Sequence, residues 1–467
     1  MPRIHSASLS AIRRPGQAGK VKEQQNRRGR TEVEDRRNSA MAEERTKWFT
    51  EARFGMYIHW GLYALGARHE WMKGREFLNN AQYDKYFRRF DPDLYDPELW
   101  ADLAADAGMK YMVVTAKHHE GFCLWDSKLT DYKATNTPAG SDLLRPMLEA
   151  FRGKGITPGL YYSLLDWHHD HYTVDVKHPQ RYDPAFVEQS KQRDFSKYVD
   201  YMFGQTRELL TEYGDIGVLF LDFSIPPEEG FAAKGKEEWQ SERFMQMVRE
   251  LQPNILVNDR LGIPGDITTP EQYQPREWIK LNGQRTVWEA CHTFSGSWGY
   301  YRDEESWKSV DMLLQMLIDT VAKGGNLLLN VGPTGRGEID ERAVDRLKGM
   351  GQWMRRHSRS IYGCTAAPEE YACPPDCRYT YNPESNRLYL HLFAWPFKQV
   401  HLPEFSGRVA YAQLLHDASE IRMVEGEQRM SMEAGAFDEG RPANTLTLKL
   451  PVKKPNVSVP VIELFLK

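Results

Sequence analysis

The sequence predicts a (β/α)8-like barrel of the TIM type, followed by a C-terminal antiparallel β-sandwich. Apolar, β-branched runs alternate with helical patterns from about residue 48 to residue 362. Such alternation is typical of parallel strands that are buried on both faces and joined by helices. Beyond residue 362 the helical signal ends and short alternating runs separated by turn residues take over. This second pattern indicates an antiparallel sandwich of roughly 100 residues.

The predicted barrel strands share one feature, which is that each ends in titratable or aromatic residues. Tyr111 to Ala116 is an apolar run that leads directly into Lys117, His118, His119 and Glu120. A single strand could meet polar loop residues by chance, whereas several together indicate the rim of a barrel, where the sites of such folds lie. Four further runs end in the same way: Gly55–Gly61, Gly159–His171, Gly217–Ser224 and Ile255–Arg260.

Helix signals fall between these strands. Asp96 is placed to cap a helix that has Pro97 at its first position, and other helical patterns stop at Gly or Pro. Asn326 to Val331 reads as a further buried strand. The predicted helices are Pro97–Ala107, Ser141–Phe151, Ala185–Tyr213, Glu237–Leu251, Glu304–Ala322 and Asp340–His357.

Three segments follow from this pattern: a disordered basic N-terminal extension over residues 1–40, a catalytic barrel over 41–362 and a sandwich over 363–467. The extension holds ten Lys and Arg against four acidic residues and has no apolar run. A nucleic-acid-binding arm is the alternative, but a disordered tail accounts for the composition. Without an apolar signal segment the chain is expected to be cytoplasmic, with secretion left open.

The bulk composition excludes several classes of protein. Of the 467 residues 41% are hydrophobic and 27% charged, and the formal net charge is −4, so a nucleic-acid partner is not expected. No run is long enough to cross a membrane. The five Cys are scattered and odd in number, which argues against a disulfide framework. The 13 Trp, 23 Tyr and 20 Phe suit either a large core or a site that stacks on sugars.

The rim residues allow two kinds of chemistry. Carboxylates at Asp222, Glu271 and Glu289 could supply the pair that glycoside hydrolysis needs. The His and Asp residues could instead bind a metal ion in a barrel hydrolase. No nucleophile elbow, dinucleotide fingerprint or P-loop is present in the sequence.

The spacing of the histidines weighs against the metal-dependent alternative. His118 and His119 are adjacent, so on a strand their side chains point to opposite faces. The loop run from His168 to His171 could chelate an ion, although such loop residues are more often solvated.

Several motifs resemble the α-L-fucosidases of glycoside hydrolase family 29, over roughly Lys47 to Tyr362. The resemblance implies a barrel with a C-terminal sandwich, retaining hydrolysis of terminal α-linked L-fucose, and neither metal nor other cofactor. A fucosylated oligosaccharide or glycoconjugate is the implied partner, and a homo-oligomer is an expected state. The motifs are Arg53 to Tyr63, Lys110 to Trp125, Gly159 to Ser163, Trp307 to Ser309 and Gly324 to Pro333.

The resemblance implies that Asp222 is the nucleophile. The usual pattern has Trp or Phe beside this Asp and Gly after it, whereas here Phe220 and Leu221 precede it and Phe223 and Ser224 follow. The departure concerns the floor of the pocket more than the identity of the nucleophile. Arg260 is expected to help keep Asp222 ionised.

The acid/base residue varies in position across the family. Glu271, in Thr269-Pro270-Glu271-Gln272, resembles the residue that supplies it in one subgroup, and Glu289 is the alternative. Whichever residue serves must start protonated, so burial or the charge of Asp222 is expected to raise its pKa. A non-catalytic fucose-binding protein is a further alternative.

The same resemblance implies a set of sugar-binding residues. Tyr161 and its neighbour Tyr162 face opposite sides of their strand, and the sequence does not distinguish which one faces the sugar. The implied sugar-binding residues are His59, Glu70, Trp71, His118, His119, Tyr161, Arg260 and Trp298.

Overall fold

The computed structural model describes residues 41–231, 233–425 and 444–467. The basic extension predicted over residues 1–40 lies outside the described residues. Residues 41–52 are helical. No helix in the described part of the chain is both long and apolar enough to cross a membrane.

A seven-stranded parallel sheet forms the core of the barrel. Its strands are short and fully or almost fully buried, as expected where helices cover the outer face. In spatial order they are Leu256–Val257, Val218–Asp222, Thr157–Ser163, Tyr111–Lys117, Phe54–Ile58, Asn326–Val331 and Glu289–Thr293.

The two edges of this sheet are joined through an irregular segment, residues 266–272. It donates and accepts backbone hydrogen bonds on both sides, for example from Ile267 N to Val257 O and from Glu289 N to Thr268 O. The ring is thus completed by single bridges in place of a regular eighth strand. The parallel bridges are Asn258–Ile267, Thr268–Trp288 and Glu271–Cys291.

The helices lie between the strands. The helix Pro97–Ala107 has the predicted bounds, because the Asp96 side chain accepts from the backbone N–H groups of Glu98 and Leu99 and Gly108 ends it at φ 87°. The helices are Tyr63–Gly66, Met72–Arg75, Asn80–Phe87, Pro97–Ala107, Leu144–Gly153, Pro184–Ser190, Phe195–Glu212, Ser241–Leu251, Val310–Val321 and Glu341–His357, with 3₁₀ turns Ala134–Asn136 and Ser358–Ser360.

The predicted secondary structure differs from the observed structure at several places. The helix predicted over Glu304–Ala322 begins only at Val310, because the Ser309 side chain accepts from Met312 N and caps it. The single helix predicted over Ala185–Tyr213 is two helices, because the Asp194 side chain accepts from Ser196 N and starts a new one. The strand Glu289–Thr293 was not predicted, since its sequence Glu-Ala-Cys-His-Thr lacks the apolar run that marks the other strands.

The interior of the barrel is filled by alternate side chains of these strands. Tyr57, Tyr161 and Phe220 are among the residues that pack together there, each 1–2% exposed. Because side chains alternate along a strand, His59 and Asp222, two residues beyond Tyr57 and Phe220, point to the same side at the carboxyl end. The packed core of the barrel therefore closes the space at the carboxyl ends of the strands from below.

The C-terminal part folds as two antiparallel sheets around their own apolar core, which includes Leu390, Leu402 and Leu448. The predicted fold class, a barrel followed by a sandwich, is confirmed. The five-stranded sheet has the order Thr365–Ala366, Cys377–Asn382, Arg387–Leu392, Val461–Leu466 and Val409–Leu414; the three-stranded sheet has the order Gln399–Leu402, Leu446–Lys449 and Arg422–Glu425. A small hairpin, Lys280–Leu281 with Gln284–Arg285, precedes the last barrel strands.

Candidate active site

A pocket of about 310 Å³ opens at the carboxyl ends of the barrel strands. Apart from the alternative Glu289, every residue that the sequence analysis assigned to the site lines it. The structure therefore brings together residues that lie up to 239 positions apart in the chain, from His59 to Trp298. These residues are His59, Glu70, Trp71, His118, His119, Tyr161, Asp222, Arg260, Glu271 and Trp298.

Asp222 is the last residue of its strand and is held by two donors. Arg260 Nη1 lies 2.7 Å from Oδ1, and the Tyr161 hydroxyl donates to Oδ2 at 2.8 Å. His119 Nε2 is 3.9 Å from the same Oδ2. The carboxylate is 7% exposed, so it is oriented by these contacts while it remains open to the pocket.

Arg260 joins the two candidate catalytic carboxylates. Its Nη1 binds Asp222 and its Nη2 lies 2.8 Å from Glu271 Oε2. Its guanidinium also lies over the ring of Phe220, with Cζ 5.1 Å from the centroid. Burial alone would lower the pKa of Arg260, but the acidic groups around it, Asp222 first and Glu271 among the others, together outweigh burial and raise its pKa well above the usual value. Arg260 is therefore a fixed cation between two acids.

Glu271 lies on the segment that closes the barrel, next to Cys291 on the neighbouring strand. Backbone hydrogen bonds from Cys291 N to Pro270 O (3.1 Å) and from Gln272 N to Cys291 O (3.0 Å) hold this segment in place. The Glu271 side chain is 42% exposed. The expected burial of the acid/base carboxylate is thus not observed, because the segment lies at the rim instead of inside the strand layer.

Glu289, the alternative acid/base residue, lies at the other end of the barrel. It is the first residue of its strand, and the Tyr111 hydroxyl, from the start of another strand, donates to its Oε2. Its side chain is fully buried, Oε1 has no hydrogen-bond partner among the described residues, and burial raises its pKa to about 8. Glu289 does not line the pocket, because a strand has its site-facing residues at its carboxyl end.

His59 and Trp298 are held together by Asn330, a residue that the sequence analysis did not assign to the site. His59 Nδ1 lies 2.6 Å from Asn330 Oδ1, and Asn330 Nδ2 donates to the Trp298 carbonyl at 2.6 Å. The rings of His59 and Trp298 are 5.1 Å apart. Because the Asn330 amide nitrogen donates to the Trp298 carbonyl, the Asn330 oxygen faces the His59 ring and can only accept. His59 therefore donates from Nδ1 and presents Nε2 as an acceptor.

Glu70 fixes the loop that carries Trp298. Its Oε2 accepts from Trp298 N at 3.2 Å and from Gly299 N at 2.8 Å, and Glu70 is 4% exposed. The charge of Glu70 is thereby compensated by backbone dipoles, and its second oxygen remains for a ligand.

His119 has a defined tautomer. Ser163 Oγ donates to the Leu165 carbonyl at 2.7 Å, so this hydroxyl must accept from His119 Nδ1, which lies 2.7 Å away. Burial lowers the pKa of His119 well below its usual value, so the ring is neutral. Its Nε2 then carries a lone pair, and it can accept a hydrogen bond from a sugar hydroxyl.

His118 lies beside a second buried acid, Glu120. His118 Nδ1 is 3.4 Å from Glu120 Oε2, and neither atom has a hydrogen-bond partner among the described residues. The His118 ring stacks on Tyr161 at 5.6 Å and 18°. Glu120 therefore favours a proton on Nδ1 of His118 and leaves Nε2 to the pocket.

The structure separates the two adjacent tyrosines. The Tyr161 hydroxyl binds Asp222, whereas the Tyr162 hydroxyl points outward, donates to Gln205 at 2.8 Å and accepts from Lys117 at 2.9 Å. Tyr161 is thus the one that faces the site.

Aromatic rings form one wall of the pocket. Trp71 contacts His119 at 4.8 Å and Phe223 at 5.5 Å between ring centroids. Phe223 has a left-handed backbone, with φ 73°. A bulky residue rarely adopts this conformation, which explains why the usual family pattern has Gly after the Asp.

Sequence reasoning missed several pocket residues. Tyr57 could have been found from its spacing, because it precedes His59 by two residues and so shares its face. Cys291 and Gln272 carry no such signal, since one lies on the strand that was not predicted and the other on the closing segment. The pocket residues that were not assigned are Tyr57, Arg75, Phe220, Phe223, Gln272, Cys291 and Gly296.

The loop histidines considered as metal ligands make other contacts. His168 stacks on Tyr132 with centroids 3.8 Å apart, and the ring of His169 lies 4.5 Å from that of Tyr201. Within the described residues no group of three or more His, Cys, Asp or Glu has the arrangement of a metal site.

A parallel barrel whose carboxyl-end pocket holds the carboxylates Glu70, Asp222 and Glu271 among histidines and aromatic rings has the features of a glycoside hydrolase of the barrel type. The family can be stated as well. The α-L-fucosidase family model matches residues 20–359, so the chain belongs to that family. The plasma α-L-fucosidase of Rattus norvegicus is 30% identical over 380 residues, which cover 75% of this chain and 77% of the relative.

Solved structures agree with this assignment. α-L-Fucosidase isoenzyme 1 from Paenibacillus thiaminolyticus superposes with a TM-score of 0.84 at 41% identity, over 91% of this chain and all of that one. A GH29 α-L-fucosidase from Bacteroides thetaiotaomicron, trapped as a covalent intermediate with 2-fluoro-fucosyl fluoride, has a TM-score of 0.76 at 26% identity. That match covers 91% of this chain and 96% of the other.

Proposed function

We propose that this protein is a retaining α-L-fucosidase that releases terminal α-linked L-fucose from oligosaccharides or glycoconjugates, with Asp222 as the nucleophile. The observation that carries the proposal is the position of Asp222. It ends a barrel strand, faces the pocket and is held by Arg260 and Tyr161.

These two donors suit a nucleophile. Arg260 donates to the carboxylate from Nη1, and the Tyr161 hydroxyl stays protonated because burial and the charge of Asp222 raise its pKa. Both contacts fix the rotamer of Asp222, so the carboxylate loses little conformational freedom when it attacks the anomeric carbon. The covalent intermediate trapped in the Bacteroides relative supports a two-step route.

Glu271 is the proposed acid/base residue. A carboxylate bound to Arg260 is not in the form that donates a proton, so Glu271 must leave Arg260 and turn toward the leaving oxygen when a sugar fills the pocket. Its 42% exposure gives the side chain room for that movement.

The hydroxyls of fucose meet groups of defined polarity. His59 and His119 present Nε2 as acceptors, and the second oxygen of Glu70 adds another acceptor. A sugar without the matching hydroxyls would leave these buried groups unpaired, which is a strong basis for rejecting it. Trp298 and Trp71 offer apolar surface for the C5 methyl group.

The reaction then follows from this placement. Asp222 forms a bond to the anomeric carbon while the glycosidic C–O bond breaks and Glu271 protonates the departing oxygen. In the second step Glu271, now a carboxylate, takes a proton from water, whose oxygen displaces Asp222. Two inversions return the anomeric carbon to its starting configuration.

The stereochemistry of the first product tests this proposal. Hydrolysis of p-nitrophenyl α-L-fucoside is followed by proton NMR at early times, with β-D-galactoside and α-D-mannoside as controls. We expect α-L-fucose to appear first and to mutarotate later, with no turnover of either control. Initial release of β-L-fucose would overturn the retaining mechanism, and absence of turnover of the fucoside would overturn the activity.

A further inference from the structure

Two exposed aromatic rings lie together near the pocket. Phe77 is 48% exposed and Tyr182 is 74% exposed. Their ring centroids are 5.4 Å apart at an angle of 56°. Large aromatic side chains are normally buried, so an exposed pair in contact suggests a surface for a ligand.

Arg181 fixes both rings. Its Cζ lies 4.7 Å from each ring centroid, and its Nη1 donates to the His178 carbonyl at 2.9 Å and reaches the Gly74 carbonyl at 3.4 Å. A guanidinium has five N–H groups, and Nη1 supplies both of these contacts. The other nitrogens remain as donors beside the two rings.

The backbone of Phe77 is also unusual. Its φ is 55°, in the left-handed region that bulky residues rarely adopt. Such a conformation is energetically costly for a bulky residue. Since Phe77 remains half exposed, burial of its ring does not offset that cost.

Both rings belong to loops at the carboxyl end of the barrel. Phe77 lies on the loop after strand Phe54–Ile58 and Tyr182 on the loop after Thr157–Ser163. The two loops meet where Trp71 and Trp167 contact each other, 5.4 Å between centroids. Phe77 and Tyr182, here called the aromatic platform, therefore lie on the same face of the barrel as the pocket.

Arg75 connects the platform to the pocket, which it lines. Phe77 is two residues further along the chain, so their Cα atoms are at most about 7.6 Å apart. That span is comparable with one sugar ring.

We propose that Phe77, Tyr182 and Arg181 form a subsite for the leaving group, in which the pyranose ring next to the fucose stacks on the aromatic pair. The proposal rests on the proposed fucosidase function. One face of a pyranose carries C–H groups and suits an aromatic ring, while its edges carry hydroxyls that the free Arg181 donors can bind. The occupant is thus a neutral hexose or N-acetylhexosamine residue continuous with the fucose in the pocket.

The test compares substrates with and without that second ring. α-L-Fucosyl fluoride has a single atom as its leaving group, whereas a fucosyllactose carries a full sugar. The readout is the ratio of kcat/KM for the trisaccharide to kcat/KM for the fluoride. We expect the ratio to fall about three- to tenfold in Phe77→Ala and in Tyr182→Ala, the loss typical of an aromatic contact.

Two variants serve as controls. Tyr182→Phe keeps the ring and is expected to keep the ratio. Phe397→Ala removes another exposed aromatic, 74% exposed and on the C-terminal sandwich, and should leave the ratio unchanged. Circular dichroism and light scattering establish that each variant keeps its fold and its molecular mass.

The outcomes separate the two proposals. No turnover of the fluoride by the wild-type protein contradicts the fucosidase function itself. Turnover of the fluoride without any turnover of the fucosyllactose, an unchanged ratio in both alanine variants, or a parallel loss on both substrates would overturn the subsite. A changed molecular mass in Phe77→Ala would assign the rings to contact between copies of the chain and would overturn it as well.

Discussion

The two ends of the barrel each hold a carboxylic acid beside a tyrosine, and the two acids have different surroundings. At the carboxyl end Asp222 accepts from Tyr161 and pairs with Arg260. At the amino end Glu289 accepts from Tyr111 but has no cation as a hydrogen-bonding partner among the described residues, and burial raises its pKa to about 8.

The contrast shows that the environment, not the residue type, decides which acid can do chemistry. Asp222 pairs with a neighbouring cation and opens to the pocket, so a substrate can reach it. Glu289 is sealed between strands, so the neutral form is favoured and no substrate can reach it. Four predictions, several with a matched control variant, test this difference.

The largest expected effect is that of Asp222→Gly. Removal of a nucleophile should lower kcat on p-nitrophenyl α-L-fucoside by at least about 10⁴-fold. Added azide should restore part of the turnover and yield β-L-fucosyl azide, since a single displacement inverts the configuration. The matched variant at the other end, Glu289→Gln, should keep kcat within about twofold, because distant sites act independently. Wild-type turnover by Asp222→Gly would contradict the assignment of Asp222 as the nucleophile.

Glu271→Ala should have the next largest effect. Loss of a general acid/base costs typically about 10²–10³-fold on a substrate with a poor leaving group. On an activated aryl fucoside, azide should rescue the second step and give α-L-fucosyl azide, the retained product. If azide rescues Glu289→Ala and not Glu271→Ala, the acid/base role belongs to Glu289 after all.

Tyr161→Phe should have a smaller effect, and Tyr162→Phe is its matched control. A hydrogen bond to a charged group is worth about 1.5–3 kcal/mol, so Tyr161→Phe should lower kcat about tenfold or more. Tyr162 faces Lys117 and Gln205, so its variant should lower the free energy of unfolding by about 1 kcal/mol and leave kcat nearly unchanged. Equal losses of kcat would contradict the opposite orientation of the two hydroxyls.

Glu289→Gln should show the smallest effect, and only in the pH dependence of stability. The folded protein keeps the Glu289 proton up to a pKa of about 8, against 4.5 for the ordinary glutamate. Between these values the unfolded chain binds fewer protons, so unfolding becomes easier as pH rises. The stabilisation that the buried, protonated Glu289 side chain provides is therefore fully present below pH 4.5. It decreases as pH rises toward the folded-state pKa of about 8, by at most about 1.4 kcal/mol per pH unit.

The measurement is Tm across that range for both proteins. The amide group that replaces the carboxyl group in Glu289→Gln cannot ionise, so the Tm of this variant minus that of the wild type should grow from acid to alkaline pH. A difference that stays constant would mean that Glu289 does not titrate in this window.

The sequence by itself determined the fold class, the positions of most barrel strands and the helix Pro97–Ala107. These features depend on local signals, such as a capping Asp, a Pro at the first position and continuous apolar runs. Ten of the residues that line the pocket were also predictable, because parallel strands bring their carboxyl ends to one place and the motifs resembled a known family, whereas Gln272 and Cys291 carried no signal.

Only the tertiary structure decided which of two neighbouring or competing residues faces the pocket. Tyr161 and Tyr162 are the same residue type on one strand, and their faces depend on the register with the adjacent strands. Glu271 and Glu289 lie 18 positions apart, yet one is on the closing segment at the rim and the other starts a strand at the opposite end. These barrel strands are buried on both faces, so their sequences lack the alternation of apolar and polar residues that would show which side chains point inward.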